Sequence, residues 1–156
     1  MKAYCVSICG GFLAVTALLL LPGCMSDGRP TIIPNADPAL RKTSAEFAAD
    51  AAKRAYPMDA PHASDVVARA QYNLMEKQFE VANLSHSDWQ NVEVWLNQKY
   101  VVEVPQFNHN SGKTLDFGLF YDSDGHHFDT DFGNNPVRSL QIYQGGKIYD
   151  VVSVLQ

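Results

Sequence analysis

The chain has 156 residues, 46% of them hydrophobic and 19% charged, and its formal net charge at pH 7 is −5. This length and apolar content suffice for one domain with its own core. The acidic balance leaves no basic patch to displace phosphate counterions, so we expect no nucleic-acid partner.

The chain begins with the features of an export signal. Lys2 precedes an apolar segment at 12–21, and Gly23 supplies the small side chain that a cleavage site requires. The pair Gly10-Gly11 and Pro22 interrupt the apolar run, which is then too short for the roughly 20 residues of a membrane span. The pattern predicts a cleaved signal peptide rather than a retained membrane anchor.

The residues Leu21-Pro22-Gly23-Cys24 resemble the lipobox of bacterial lipoproteins, with proline where a small or β-branched residue is usual. The resemblance implies removal of residues 1–23 and attachment of a diacylglycerol, with fatty acids such as palmitate, to the Cys24 sulfur. The protein is then held in a bacterial cell envelope by its lipid. Met25 follows the cysteine in place of an aspartate, which by the same resemblance implies the outer membrane, facing the periplasm.

Cysteine usage agrees with this interpretation. Cys5 and Cys9 leave with residues 1–23, and Cys24 becomes the site of lipidation. The remaining 133 residues have a net charge of −6 and no free thiol for a disulfide, a metal ligand or a nucleophile.

The next segments predict a flexible tether at 24–36, with glycine and two prolines, and a helix at 37–56. Asp37 suits the helix cap, Pro38 the first helical position, and Pro57 the end. Apolar residues follow at helical spacing: Leu40, Phe47, Ala48, Ala51 and Ala55. We expect this helix to pack against its own domain rather than against a partner.

Residues 64–156 alternate in a way that predicts strands, although 67–72 fits either a strand or a helical turn. The clearest features are two hairpins, one turning at Asn97-Gln98 and one at Gly145-Gly146. Four apolar residues at spacing of two also predict a strand: Leu115, Phe117, Leu119 and Tyr121.

About seven short strands point to a mainly β fold, an immunoglobulin- or fibronectin-like antiparallel β-sandwich. The block at 89–101 resembles a pattern in uncharacterised small exported β-domains, a resemblance that implies no activity.

Two sets of residues are candidates for a site. Loop histidines and carboxylates flank one predicted strand and could bind a divalent metal: His109, His126, Asp122, Asp124 and Asp129. Three aromatic residues could form an exposed platform for a partner: Trp89, Trp95 and Tyr100. Because Val94 and Leu96 are expected to face the core, the period of two places Trp95 on the other face of the sheet, half exposed.

No nucleophile elbow, zinc-protease helix or dinucleotide fingerprint occurs in the chain. We therefore expect a lipid-anchored envelope protein whose β-domain binds or scaffolds without catalysis and without a cofactor. Its partner would be the membrane, through the lipid, and another envelope protein or a cell-wall glycan. The alternative is a metal-binding protein or metal-dependent enzyme that uses the loop histidines and aspartates.

Overall fold

The computed structural model describes residues 31–65, 67–130 and 135–155. The predicted signal peptide and the lipidation site at Cys24 lie outside the described residues. Within the described ranges no helix is long and apolar enough to cross a membrane.

The described residues form two four-stranded sheets and one α-helix, α1 at Ser44–Ala51. The strands are β1 Ala68–Asn73, β2 Gln78–Asn83, β3 Trp89–Leu96, β4 Tyr100–Phe107, β5 Ser111–Asp116, β6 Leu140–Gln144, β7 Lys147–Asp150 and β8 Val152–Leu155. Sheet I has the order β5-β2-β1-β8 and sheet II the order β4-β3-β6-β7. Neighbouring strands are antiparallel except β1 and β8, which are parallel.

Alternate side chains of both sheets meet in one hydrophobic core, so the two sheets have a sandwich-like arrangement. On β3 and β4 the pairs Val92–Val104 and Val94–Val102 are buried, while Glu93 between them is half-buried. Sheet I contributes Ala68, Ala70, Phe79, Val81 and Leu115. The prediction of a mainly β fold is confirmed.

Both predicted hairpins are present. Asn97 and Gln98 join β3 to β4 with φ of 54° and 57°, a left-handed pair that turns two twisted strands back on each other. Gly145 and Gly146 join β6 to β7, also with positive φ. The strand predicted to return from this second turn, residues 148–155, divides into two strands at Val151. Strand β7 pairs with β6 in sheet II, and β8 pairs with β1 in sheet I.

The predicted strand through Leu115, Phe117, Leu119 and Tyr121 is wrong in its second half. Strand β5 ends at Asp116, and a 3₁₀ turn follows at Phe117–Leu119. The turn places the Phe117 ring 4.8 Å from that of Phe79 and 5.4 Å from that of Phe128. These aromatic contacts close one end of the core, which explains why the side chains are apolar although the backbone is not extended.

Of the predicted flexible tether at 24–36, the structure describes residues 31–36, and Ile33 and Asn35 among them are hydrogen-bonded to other parts of the chain. The Ile33 N–H donates to the Lys42 carbonyl at 2.8 Å, and Asn35 Nδ2 donates to the Thr114 carbonyl at 3.2 Å. Asn35 thus lies beside β5 at the edge of sheet I, and Ile33 pairs with the segment that precedes α1.

The predicted helix at 37–56 divides into a 3₁₀ turn at Pro38–Leu40, which Asp37 caps, and α1. A capping box explains why α1 begins at Ser44. The Thr43 hydroxyl accepts from the Glu46 N–H, and the Glu46 carboxylate accepts from the Thr43 N–H at 2.7 Å. The helix ends at Ala51, six residues before Pro57.

Residues 31–57, which we call the strap, begin beside the edge of sheet I and then cross the outer face of sheet II. Phe47 stacks on Tyr121 with ring centroids 6.4 Å apart, and Tyr56 lies edge-on to Trp95 at 5.5 Å. The Arg54 guanidinium forms ion pairs with Glu93 on β3 and Glu103 on β4, two strands of the sheet that the strap crosses. The expectation that the helical segment packs on its own domain is confirmed.

Candidate functional site

The three aromatic residues predicted to form an exposed platform are buried in the structure. Trp95 is 3% exposed, Trp89 4% and Tyr100 8%. The period of two does place Trp95 opposite the inner face, but the strap covers that face, and Tyr56 packs on the indole. The indole Nε1 donates to Glu93 Oε2 at 3.0 Å, so the polar edge of the ring is also satisfied. The prediction of a half-exposed Trp95 is therefore wrong.

The other two aromatic residues have separate structural contacts. The Trp89 ring stacks on Tyr149 at 5.5 Å and meets the edge of Phe107 at 6.2 Å. The Tyr100 ring meets Phe128 at 5.2 Å. Each ring fills the space between elements that are distant in sequence, which is the usual role of large aromatic residues in a small core.

Among the predicted metal ligands, the structure brings together Asp122, Asp124 and His126. Each offers one ligand atom, and these atoms lie within 4.8 Å of one another. They belong to a tight turn in which Asp122 Oδ1 accepts from the Asp124 N–H at 3.1 Å and the His126 N–H at 2.9 Å. Gly125, with φ of 84°, allows the chain to reverse.

The Asp122 carboxylate is the buried member of this cluster, with its side chain 2% exposed. Lys99 Nζ lies 3.1 Å from Oδ2 in an ion pair, but outside hydrogen-bonding geometry, and Oδ2 has no hydrogen-bond donor among the described residues. Burial raises the pKa of Asp122, but the N–H donors of the turn and the Lys99 ammonium outweigh it, so the pKa lies below its ordinary value. The same contact raises the pKa of Lys99.

His109 and Asp129 do not belong to this cluster. His109 Nδ1 lies 2.7 Å from Asp88 Oδ1, which also accepts from the His109 N–H at 2.8 Å. Asp129 Oδ1 accepts from Lys77 Nζ at 3.2 Å. The prediction of a five-residue metal site is wrong in these two members, because each has a partner on another loop.

The outer face of sheet I differs from that of sheet II because the strap does not cover it. A shallow groove of about 340 Å³ runs across β1, β2 and β5. Its lining residues are Arg69, Ala70, Gln71, Glu80, Val81, Ala82 and Gly112. Arg69 and Glu80 are exposed, and the small residues Ala82 and Gly112 pair side by side at its floor.

Sequence reasoning missed this groove. The signal that could have found it is the polar alternation of Arg69, Gln71 and Asn73 on β1, since residues at spacing of two share one face of a strand. That stretch remained ambiguous between strand and helix because its inward residues, Ala68 and Ala70, are small and have no β preference.

The groove is shallow and open, and its lining combines the polar groups of Arg69, Gln71 and Glu80 with apolar surface. Such a face fits the binding of a flat partner surface rather than of a small molecule in a deep pocket. Three comparisons with known proteins add no relative: no family model matches the chain, and neither a curated protein nor a solved structure is significantly similar to it.

Proposed function

We propose that the protein is a lipid-anchored component of a bacterial cell envelope whose β-domain binds a partner without catalysis. The observation that carries the location is the lipobox-like sequence Leu21–Cys24 after an apolar segment. The partner is another envelope protein or a cell-wall glycan, and the anchor places the domain beside both.

We also propose that the two sheets have the immunoglobulin or fibronectin type of connection. The support is the strand order: the first, second and fifth strands share sheet I, while the third, fourth, sixth and seventh form sheet II. Folds of this class commonly present one sheet face or one set of loops to a partner.

The binding surface that we favour is the open face of sheet I. It is supported by the contrast between the two faces, since the strap covers Trp95 on sheet II and leaves the groove beside Arg69 and Glu80 exposed. A guanidinium, a carboxylate and the Gln71 amide within one groove supply hydrogen-bond donors and acceptors in fixed positions.

The location is tested by intact-mass spectrometry of the protein purified from membranes. We expect loss of residues 1–23 and addition of a diacylglycerol at Cys24, and we expect Cys24→Ser to appear unacylated and released from the membrane. An intact leader on the wild-type protein would overturn the assignment.

The surface is tested by placing a photo-reactive amino acid at Gln71 and, as a matched control, at Lys53. Lys53 is 69% exposed but lies in the strap, beyond the end of α1. In intact cells we expect a discrete cross-linked product, to one envelope protein or to the cell wall, from position 71 only. Equal products from both positions would contradict a specific face.

A second candidate is divalent-metal binding at Asp122, Asp124 and His126, favoured by the close approach of three ligand atoms around a buried carboxylate. Two carboxylates and an imidazole suit zinc. The Lys99 ammonium occupies the neighbouring position, and a metal would have to displace it.

This candidate is tested by calorimetric titration with zinc. Asp124→Asn changes an exposed ligand whose carboxylate makes no hydrogen bond or ion pair among the described residues, and Lys99→Met removes the competing charge. Metal binding predicts weaker affinity for the first variant and tighter affinity for the second. No heat of binding in the wild type or in Lys99→Met would exclude the candidate.

A further inference from the structure

The turn between β1 and β2 exposes two adjacent large apolar side chains. Leu74 is 56% exposed and Met75 is 96% exposed. The turn is held by Asn73, whose Oδ1 accepts from the Met75 N–H at 3.0 Å and the Glu76 N–H at 3.2 Å. The apolar pair is therefore presented on a hydrogen-bonded turn, with most of its apolar surface exposed in the described domain.

The chain joins the domain at the same end of sheet I. Asn35 lies beside the end of β5, with Nδ2 3.5 Å from Asp116 Oδ2. Asp116 pairs with Gln78, the first residue after the turn, and the Phe117 N–H donates to the Lys77 carbonyl at 2.8 Å. The first part of the strap and the Leu74-Met75 turn thus lie at the same end of sheet I.

The length of chain before the strap limits how far this end can lie from the anchor. Ile32 is fixed by its bridge to Thr43, and eight residue-to-residue steps join it to Cys24. At no more than about 3.6 Å per residue, they span at most about 29 Å. A lipid on Cys24 would therefore keep Ile32 within about 29 Å of the anchor, a distance that allows this end of the domain to touch the bilayer surface.

We propose that Leu74 and Met75 insert into the outer part of the lipid bilayer that holds the anchor. This inference rests on the proposed lipidation of Cys24. Because the anchor already holds the domain at the surface, the insertion is an intramolecular step and needs only a small apolar contact. The charged neighbours Glu76 and Lys77 would stay at the level of the headgroups.

The experiment compares Met75→Trp with Met58→Trp in the full-length acylated protein, reconstituted in phosphatidylcholine vesicles with brominated acyl chains. Met58 is a matched control because it is 82% exposed but lies in the segment that leads from the strap toward β7. The native Trp89 and Trp95 are buried and give the same background in both variants.

We expect the bromines to reduce the added fluorescence of Trp at position 75 at least twofold and to leave position 58 unchanged. Mass spectrometry of the same samples separates the two proposals. Acylated protein without quenching at position 75, or with equal quenching at both positions, overturns the insertion and leaves the anchor intact. Protein without a lipid on Cys24 overturns both.

Discussion

The burial of Trp95 leads to a prediction opposite to the one made for an exposed binding residue. A tryptophan buries about 200 Å², which at about 25 cal/mol per Å² corresponds to roughly 5 kcal/mol of hydrophobic stabilisation. Since the cavity left by truncation collapses in part, we expect Trp95→Ala to lower the free energy of unfolding by about 3–5 kcal/mol.

The loss should begin at the strap, because the indole lies between Tyr56 and sheet II and its N–H is bonded to Glu93. Trp95→Phe is the control: it keeps an aromatic ring against Tyr56 but loses the N–H donor, and we expect a cost of about 1–2 kcal/mol.

Urea unfolding followed by circular dichroism measures both variants, and limited proteolysis reports whether residues 31–57 detach first. A Trp95→Ala protein that is within 1 kcal/mol of the wild type and equally resistant to protease would refute the assignment of the strap to this face.

Three further predictions concern other contacts. Arg54→Met should cost about 2 kcal/mol, because Arg54 lies 3.3 Å from Glu93 and 2.5 Å from Glu103, two carboxylates directly opposite each other in the sheet. Adding Glu103→Gln should recover part of the lost free energy of unfolding in urea, because it removes one of the two facing negative charges. No recovery would contradict the role of Arg54 in neutralising these carboxylates. Asp122→Asn should cost roughly 1–3 kcal/mol at pH 7, because it keeps an accepting oxygen for the turn but loses the negative charge that pairs with Lys99 and strengthens both turn hydrogen bonds. Because the pKa of Asp122 is lowered in the folded state, its stabilisation is present above the unfolded pKa of about 3.9 and is lost as pH falls through the folded value. The difference between wild type and variant should therefore shrink in acid, and a difference that is constant from pH 7 to pH 3 would argue against a charged Asp122. Thr43→Ala should cost about 1 kcal/mol by removing the cap of α1, whereas Thr43→Ser should be near wild type in thermal melts.

Much of the fold was predictable from local patterns. The β3–β4 hairpin follows from alternating valines on both sides of Asn97-Gln98, because period two and a left-handed turn are properties of neighbouring residues. Asp37 was recognised as a cap, although it caps a 3₁₀ turn rather than a long helix. The change from sheet II to sheet I at Val151 has no comparable local signal, because the residues of β7 and β8 together predict a single strand.

The candidate sites were less predictable because they depend on what covers each surface. Spacing correctly assigned Trp95 to the face opposite Val94, but it carries no information about a segment forty residues earlier that packs on that face. Likewise, Asp122 and His126 are near in sequence and meet in one turn, whereas the partners of His109 and Asp129 lie on other loops.

The amino-acid sequence by itself determined the mainly β character and the two hairpins, because alternation and turn residues are properties of consecutive positions. The lipid anchor is proposed from a motif of the same local kind and stays a prediction. Tertiary structure decided which aromatic rings are buried, which carboxylates meet a lysine and which sheet face stays open. Those outcomes depend on long-range packing of the strap, whose contacts with sheet II are made by residues such as Arg54 and Tyr56 that have no fixed spacing from their partners.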